Sequence, residues 1–133
     1  MKQVFLDSVG LIALWDLHDQ WHDTSRQTFD LLLPSRATLV TTELVLFETG
    51  NALSRTSFRH VVNDFRTALL HAHNLLVASD SEIDRAWTHY VRGDASAAGI
   101  VDHISFPVMR RRRIVDAFTN DRRFKVAGFT TLF

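Results

Sequence analysis

Apolar positions along this chain fall into short runs and helical stripes, and the two alternate. Gln3 to Leu6 is a short run that ends on Asp7, and apolar residues resume from Val9 to Trp15. Such a pattern predicts a buried strand, a cap at Asp7-Ser8 and a helix behind it. Trp21, Phe29, Leu32 and Leu33 give Trp21 to Leu33 a helical period that stops before Pro34. Thr38 to Thr41 is a second β-branched run, and Thr42-Glu43 opens a helix reaching about Arg55. Phe58 to His73 carries the stripe Val61, Val62, Phe65, Leu69 and Leu70. Leu75 to Ala78 predicts a third strand, with Ser79 or Ser81 capping a helix that runs to about Arg92.

Gly93 to Gly99 (GDASAAG) is small, polar and the one clear loop. Ile100 to Arg112 is helical in pattern, although Pro107 is expected to kink or distort it. Ile114 to Phe118 predicts a fourth strand, Asp121 to Ala127 a short helix, and Phe129 to Leu132 a last strand after Gly128. Strands alternating with amphipathic helices predict an α/β fold around a mainly parallel sheet of four to five strands. No repeat, linker or low-complexity tract interrupts the chain, so residues 1–133 are expected to form a single domain.

Composition changes this picture in three ways. The absence of cysteine excludes disulfides and thiolate metal sites. With no basic leader before a long apolar run, and no membrane-length apolar stretch, a soluble cytoplasmic protein is expected. Fifteen basic and fifteen acidic residues balance, which argues against a general nucleic-acid coat. Any polyanion contact then depends on a local patch. Arg110-Arg111-Arg112-Arg113, with Arg122-Arg123 following closely, is the candidate, against the plainer reading of a solvated helix end.

In open parallel α/β sheets, ligands bind beyond the carboxyl ends of the strands. Asp7 stands at such an end, and Asp121 lies just past another. Asp102 opens a helix amid Ile100, Val101, Ile104 and Phe106, and Glu48 lies within the apolar stretch LVLFETGNAL. Each has a bland explanation as a cap or an ion-pair partner. A buried lone carboxylate is costly, however, and four at strand ends are better explained by one shared site. Oxygen-only donors suit Mg²⁺ or Mn²⁺, the arrangement used for metal-assisted phosphodiester hydrolysis.

Competing chemistries recede. No glycine-rich phosphate loop or Gly-x-Ser-x-Gly elbow is present. His18 and His22 are spaced one turn apart but lack a third ligand, and His103 is expected on a helix surface. A phospho-acceptor site needs a further acid beside Asp7 and a strand-end lysine, and the only lysines are Lys2 and Lys125.

The segments VFLDSVGLIAL, LVTTELVLFETGNALSR and VDHISFPVMRRRRIVDAFTNDRRFKVAGF together resemble the PIN domain, in particular the VapC-like ribonuclease toxins of prokaryotic toxin–antitoxin systems. The resemblance spans nearly the whole chain in order. It implies a three-layer α/β/α fold and a Mg²⁺- or Mn²⁺-dependent endoribonuclease, with RNA as substrate, a cognate antitoxin and a homodimer as expected partners. Asp7, Glu48, Asp102 and Asp121 match the family's four metal-binding and catalytic acids. Ser8 and Thr119 match hydroxyl positions beside them, and Asp116 is an extra acid expected to support the site or be solvated. The family's serine and threonine before the third acid are replaced by Gly99 and Val101, and Pro107 replaces an ordinary apolar residue. These departures keep a second reading open, a PIN-fold binding or regulatory module with weakened nuclease activity.

Overall fold

The computed structural model describes residues 2–133. Five strands, β1 (Gln3–Leu6), β2 (Thr38–Thr42), β3 (Leu75–Leu76), β4 (Asp116–Phe118) and β5 (Thr130–Thr131), form one sheet in the order β3-β2-β1-β4-β5. Every pairing is parallel. Helices α1 (Ser8–Trp15), α2 (His22–Leu32), α3 (Glu43–Ala52) and α4 (Arg59–His71) join β1 to β2 and β2 to β3. Helices α5 (Asp80–Arg92), α6 (Asp94–Ala97), α7 (Ile100–Arg111) and α8 (Arg122–Val126) follow. The strand order steps one way from β1 through β3, then jumps back to β4. Right-handed crossovers therefore put α1–α4 on one face and α5–α8 on the other, giving three layers. The pairing of α1 with α2 and α3, and of α5 with α7, follows that division.

The short strands are buried because both faces are covered, which requires continuous apolar runs. Val4, Phe5, Leu6, Val40, Ala117 and Phe118 are almost fully buried. The strand after α7 starts later than its apolar pattern predicts, at Asp116. The cause is a Schellman cap: Arg113 N–H donates to Arg110 O and Ile114 N–H to Met109 O, with Arg113 at φ +56°. Ile114 is thereby spent on closing the helix. His73 ends α4 in the same way, at φ +58°. Helix α7 runs unbroken through Pro107.

Two other expectations are corrected. The GDASAAG segment is not wholly loop, because Asp94–Ala97 winds into a single turn in which Ala95, Ser96 and Ala97 all have φ between +53° and +57°. A left-handed turn costs about 1–2 kcal/mol per residue, and small side chains keep that cost at the low end. Asp94 to His89 (2.8 Å) and Arg123 to the Ser96 carbonyl (3.3 Å) pin it from both sides. Leu33, expected in the core stripe of α2, is exposed, whereas Phe29 packs edge-on against Phe118.

Candidate functional site

β1 is the point at which the strand order reverses, so the crevice between β1 and β4 is open at its carboxyl end. Asp7 leaves β1 there and Asp121 follows β4. Asp7 is in the N-cap position of α1 yet makes no capping bond with its side chain. Its carboxylate turns instead toward β4, where the Thr119 hydroxyl donates to Oδ2 at 2.8 Å. The same hydroxyl accepts the Asp121 N–H at 3.1 Å, so Thr119 ties the first and fourth acids together. Asp7 Oδ1 is buried without a hydrogen-bond partner.

The close approach of α1 to β4 depends on Gly10. A Cβ there would lie 2.1 Å from the Phe118 carbonyl oxygen. Only glycine lets the first turn of α1 sit on that backbone.

Glu48 comes from α3, on the other side of Asp7. The Ser8 hydroxyl donates to its Oε1 at 3.0 Å. The surroundings of Glu48 differ from the apolar burial its sequence neighbours suggest: Glu48 is open to solvent and Phe47 is 58% exposed. Asp102 lies in the first turn of α7. A Cβ on Gly99 would come 3.9 Å from Asp102 Oδ2, so Gly99 leaves free the place a serine side chain would take. Asp121 also caps α8, accepting the Arg123 N–H at 2.9 Å. Capping and membership of the acidic cluster are compatible, since one oxygen serves each.

Asp102 and Asp121 repel Asp7, and Asp121 and Glu48 repel Asp102. Burial pushes the Asp7 carboxyl up to about 8, with Asp102 and Asp121 adding to it and Thr119 and the Ser8 main chain opposing. Asp102 is pushed up to about 7, first by burial and then by Asp121 and Glu48, with the Gly99 main chain and Arg123 pulling down. Glu48, exposed as a residue, still has its carboxyl raised by desolvation on the side that meets Ser8, against the Ser8 hydroxyl. A carboxyl raised in the folded state binds protons that the unfolded chain has released. Stability of the metal-free protein is therefore expected to fall as pH rises from about 4 towards 8, which urea titrations across that range will read. A flat profile would mean that burial does not raise the Asp7 and Asp102 carboxyls.

These residues fit a hard divalent cation. The donors are all oxygen, one is buried with no partner, and excess negative charge needs compensation. Among the described residues no three acids or imidazoles already close around one point.

Other expected site residues lie elsewhere. Asp116 begins β4 at the opposite end of the sheet and pairs with Lys2 at 2.5 Å, so it does not support the acids. Arg110 to Arg113 stand at the end of α7, about 12–17 Å along its axis from Asp102. Arg111 is held by the buried Glu82 at 3.1 Å and the Val77 carbonyl at 2.8 Å. Arg122 is exposed on α8, while its neighbour Arg123 reaches Asp121 at 3.4 Å. Sequence reasoning places both arginines in the basic patch but singles out Arg122, because nothing local shows which of two adjacent arginines turns back across the cap. His103, expected on a helix surface, is buried, with its ring stacked on His89 and its Nε2 unpartnered. Burial and the neighbouring His89 lower its pKa.

Residues 4–130 match the family model described as the PIN domain. The chain is 29% identical, over 95% of both chains, to proteins named 23S rRNA-specific endonuclease VapC20 from two strains of Mycobacterium tuberculosis, CDC 1551 / Oshkosh and ATCC 25618 / H37Rv. It also resembles the crystal structure of Mycobacterium tuberculosis VapC20, described as a sarcin-ricin loop cleaving toxin. That likeness has a TM-score of 0.76 and 27% identity, and covers 96% of each chain.

Proposed function

Given that the chain belongs to the PIN-domain family, we propose that it is a divalent-metal-dependent endoribonuclease and the toxin of a toxin–antitoxin pair. The observation that carries this is Asp7: a fully buried carboxylate with one oxygen unpartnered, set among other acids at the reversal point of the sheet. The similarity to VapC20 supports structured ribosomal RNA as the substrate class.

In this reading Asp7, Glu48, Asp102 and Asp121 hold Mg²⁺ or Mn²⁺. The bound ion would supply Lewis acidity at the scissile phosphate and lower the pKa of a nucleophilic water. The chain's own residues do the positioning. Thr119 fixes Asp7 Oδ2 and the Asp121 main chain, leaving Oδ1 as the free donor. Ser8 fixes one oxygen of Glu48 and leaves the other available. Arg123, beside Asp121, is placed to offset negative charge at the rim. The missing hydroxyls at Gly99 and Val101 leave Asp102 with less side-chain support, while the Gly99 main chain still favours its charged form.

One hydrophobic cluster includes β1, β2, β4 and helices of both faces, which supports one domain over residues 1–133. Among the described residues no helix is long and apolar enough to cross a membrane. A cytoplasmic location belongs to the same proposal and rests on the cysteine-free sequence. An antitoxin and a homodimer are the proposed protein partners. Exposed Trp21, Leu31, Leu33 and Phe47 support apolar contact surfaces for them.

The test is cleavage of a sarcin-ricin loop RNA with Mg²⁺ or Mn²⁺ and with EDTA. Cleavage that survives EDTA would overturn the metal assignment, and no cleavage with either ion would favour the binding-module reading. Thr119→Val keeps the shape and removes the hydroxyl. It is expected to lower metal affinity and cleavage by about 10–100-fold, as loss of a residue orienting a ligand does. Manganese titration by calorimetry separates that effect from misfolding.

A further inference from the structure

Among the described residues the four acids make a single ion pair, Asp121 with Arg123. Arg123 stands in the first turn of α8, at the positive end of the helix dipole, where a cation is disfavoured. Helix stability therefore does not account for it. Ion pairing adds little either, since a half-exposed pair at 3.4 Å contributes weakly.

Two neighbours fix where the guanidinium goes. Its Nη1 donates to Asp121 Oδ1 at 3.4 Å and its Nε to the Ser96 carbonyl at 3.3 Å. The Asp121 bond falls on the oxygen that already takes the Arg123 main-chain N–H, so Oδ2 is left to a cation. Ser96 lies in the left-handed turn of α6, where three consecutive residues with a Cβ hold positive φ. Such strain persists only where the surroundings impose it, and it gathers at functional sites. Here the turn packs against α8 and gives Arg123 a main-chain acceptor. Both bonds are longer than the roughly 2.7–2.9 Å of a strong charge-assisted one, and Nη2 has no partner among the described residues. The side chain is 45% exposed, so these donors are open to a ligand. The charge of Arg123 also reaches Asp102, where it holds the carboxyl down against burial.

We infer that Arg123 grips the substrate RNA: with its Nε braced by the Ser96 carbonyl, its remaining N–H groups bind a non-bridging oxygen of the phosphate held at the acids. The inference rests on the ribonuclease reading and goes beyond the offsetting of charge, because it makes Arg123 a group that touches substrate. Phosphate suits both sides of this corner. Its charge meets the guanidinium fork, and its other oxygens are left to a cation among the acids.

Arg123→Ala and Arg123→Lys test this in the full chain, with urea midpoints confirming that both fold. Single-turnover cleavage of a sarcin-ricin loop RNA with Mg²⁺ is measured beside calorimetric titration of the RNA-free protein with Mn²⁺. Arg123→Ala is expected to cleave about 10–100-fold more slowly, the loss of one or two hydrogen bonds to a charged group. Its Mn²⁺ affinity is expected to stay the same or rise, because a positive charge beside the acids has gone. Arg123→Lys is expected to remain about tenfold slower than the parent, since a point charge does not reproduce the fork. Cleavage by Arg123→Ala within about threefold of the parent overturns the grip. Mn²⁺ binding that weakens as much as cleavage makes Arg123 a positioning residue for Asp121 and also overturns it. Full cleavage by Arg123→Lys reduces Arg123 to an offsetting charge and likewise overturns it. Cleavage by the parent is measured first: without it the ribonuclease reading itself fails, and this inference with it.

Discussion

Asp7→Asn is expected to abolish RNA cleavage, by about a thousandfold or more, while making the metal-free protein more stable at pH 8. The first effect follows from replacing the one fully buried anionic donor by a neutral amide, since a metal-centred site loses several kcal/mol of charge stabilisation and each 1.36 kcal/mol is about tenfold. The second follows from the raised carboxyl. At pH 8 the unfolded chain has released the Asp7 proton, whereas the folded chain holds that carboxyl near its own titration point of about 8. Asparagine keeps an oxygen to accept from Thr119 and presents an amide where Oδ1 now has no partner. The stability gain is expected to shrink towards pH 4, where the parent carboxyl is protonated. Urea denaturation at the two pH values, beside a cleavage assay, reads both effects. An Asn variant that cleaves normally removes Asp7 from the site. One that is less stable at pH 8 makes the carboxylate a structural group.

Gly10→Ala is expected to cost several kcal/mol of stability, enough to leave much of the chain unfolded at 37 °C. The added Cβ would meet the Phe118 carbonyl oxygen at 2.1 Å and its carbonyl carbon at 2.9 Å, and backbone cannot swing aside as a side chain can. Overpacking of this kind typically costs about 1–3 kcal/mol when side chains yield, and more when a strand must move, out of a total of about 5–15 kcal/mol. The strand that would move carries Phe118 and leads to Thr119 and Asp121, so surviving protein is expected to cleave poorly. Gly93→Ala is the control. Nothing lies within 4 Å of its Cβ, but φ is +69°, so only a left-handed penalty of about 1 kcal/mol applies. Equal destabilisation of the two variants, by urea midpoint, would show that α1 packs against β4 more loosely than its geometry indicates.

Much of the arrangement was legible along the chain, for a definite reason. A doubly covered parallel sheet needs strands that are apolar throughout. Val4-Phe5-Leu6 ending on Asp7 is therefore a local signature of a strand, its end and a charge at that end. The same logic found Asp121 after Phe118 and Asp102 at the start of α7. Thr42 and Ser79 mark helix starts because their hydroxyls accept from main-chain N–H groups three residues on. Those bonds are local, so their signals are local.

What the local pattern misplaced depends on which surfaces meet. Asp116 is one residue from the core and five from Asp121, yet strand direction carries it to the far end of the sheet, where Lys2 pairs with it. Arg110 to Arg113 share a helix with Asp102, and a rise of about 1.5 Å per residue takes them out of its reach. His103 is polar and next to a polar acid, but α5 covers it. Glu48 has apolar neighbours in sequence, and α3 still turns it outward to Ser8 and solvent.

The sequence alone therefore determined the class of fold and the carboxyl ends of β1 and β4, beyond which Asp7 and Asp121 stand, since each follows from burial and capping within a few residues. Only the tertiary structure decided that Thr119 joins two of the acids, that Gly10 admits β4 against α1, and that Arg111 is taken up by Glu82 and the Val77 carbonyl. Those outcomes depend on distances between elements far apart in the chain. Such distances are set by sheet order and close packing, which no short stretch of residues encodes.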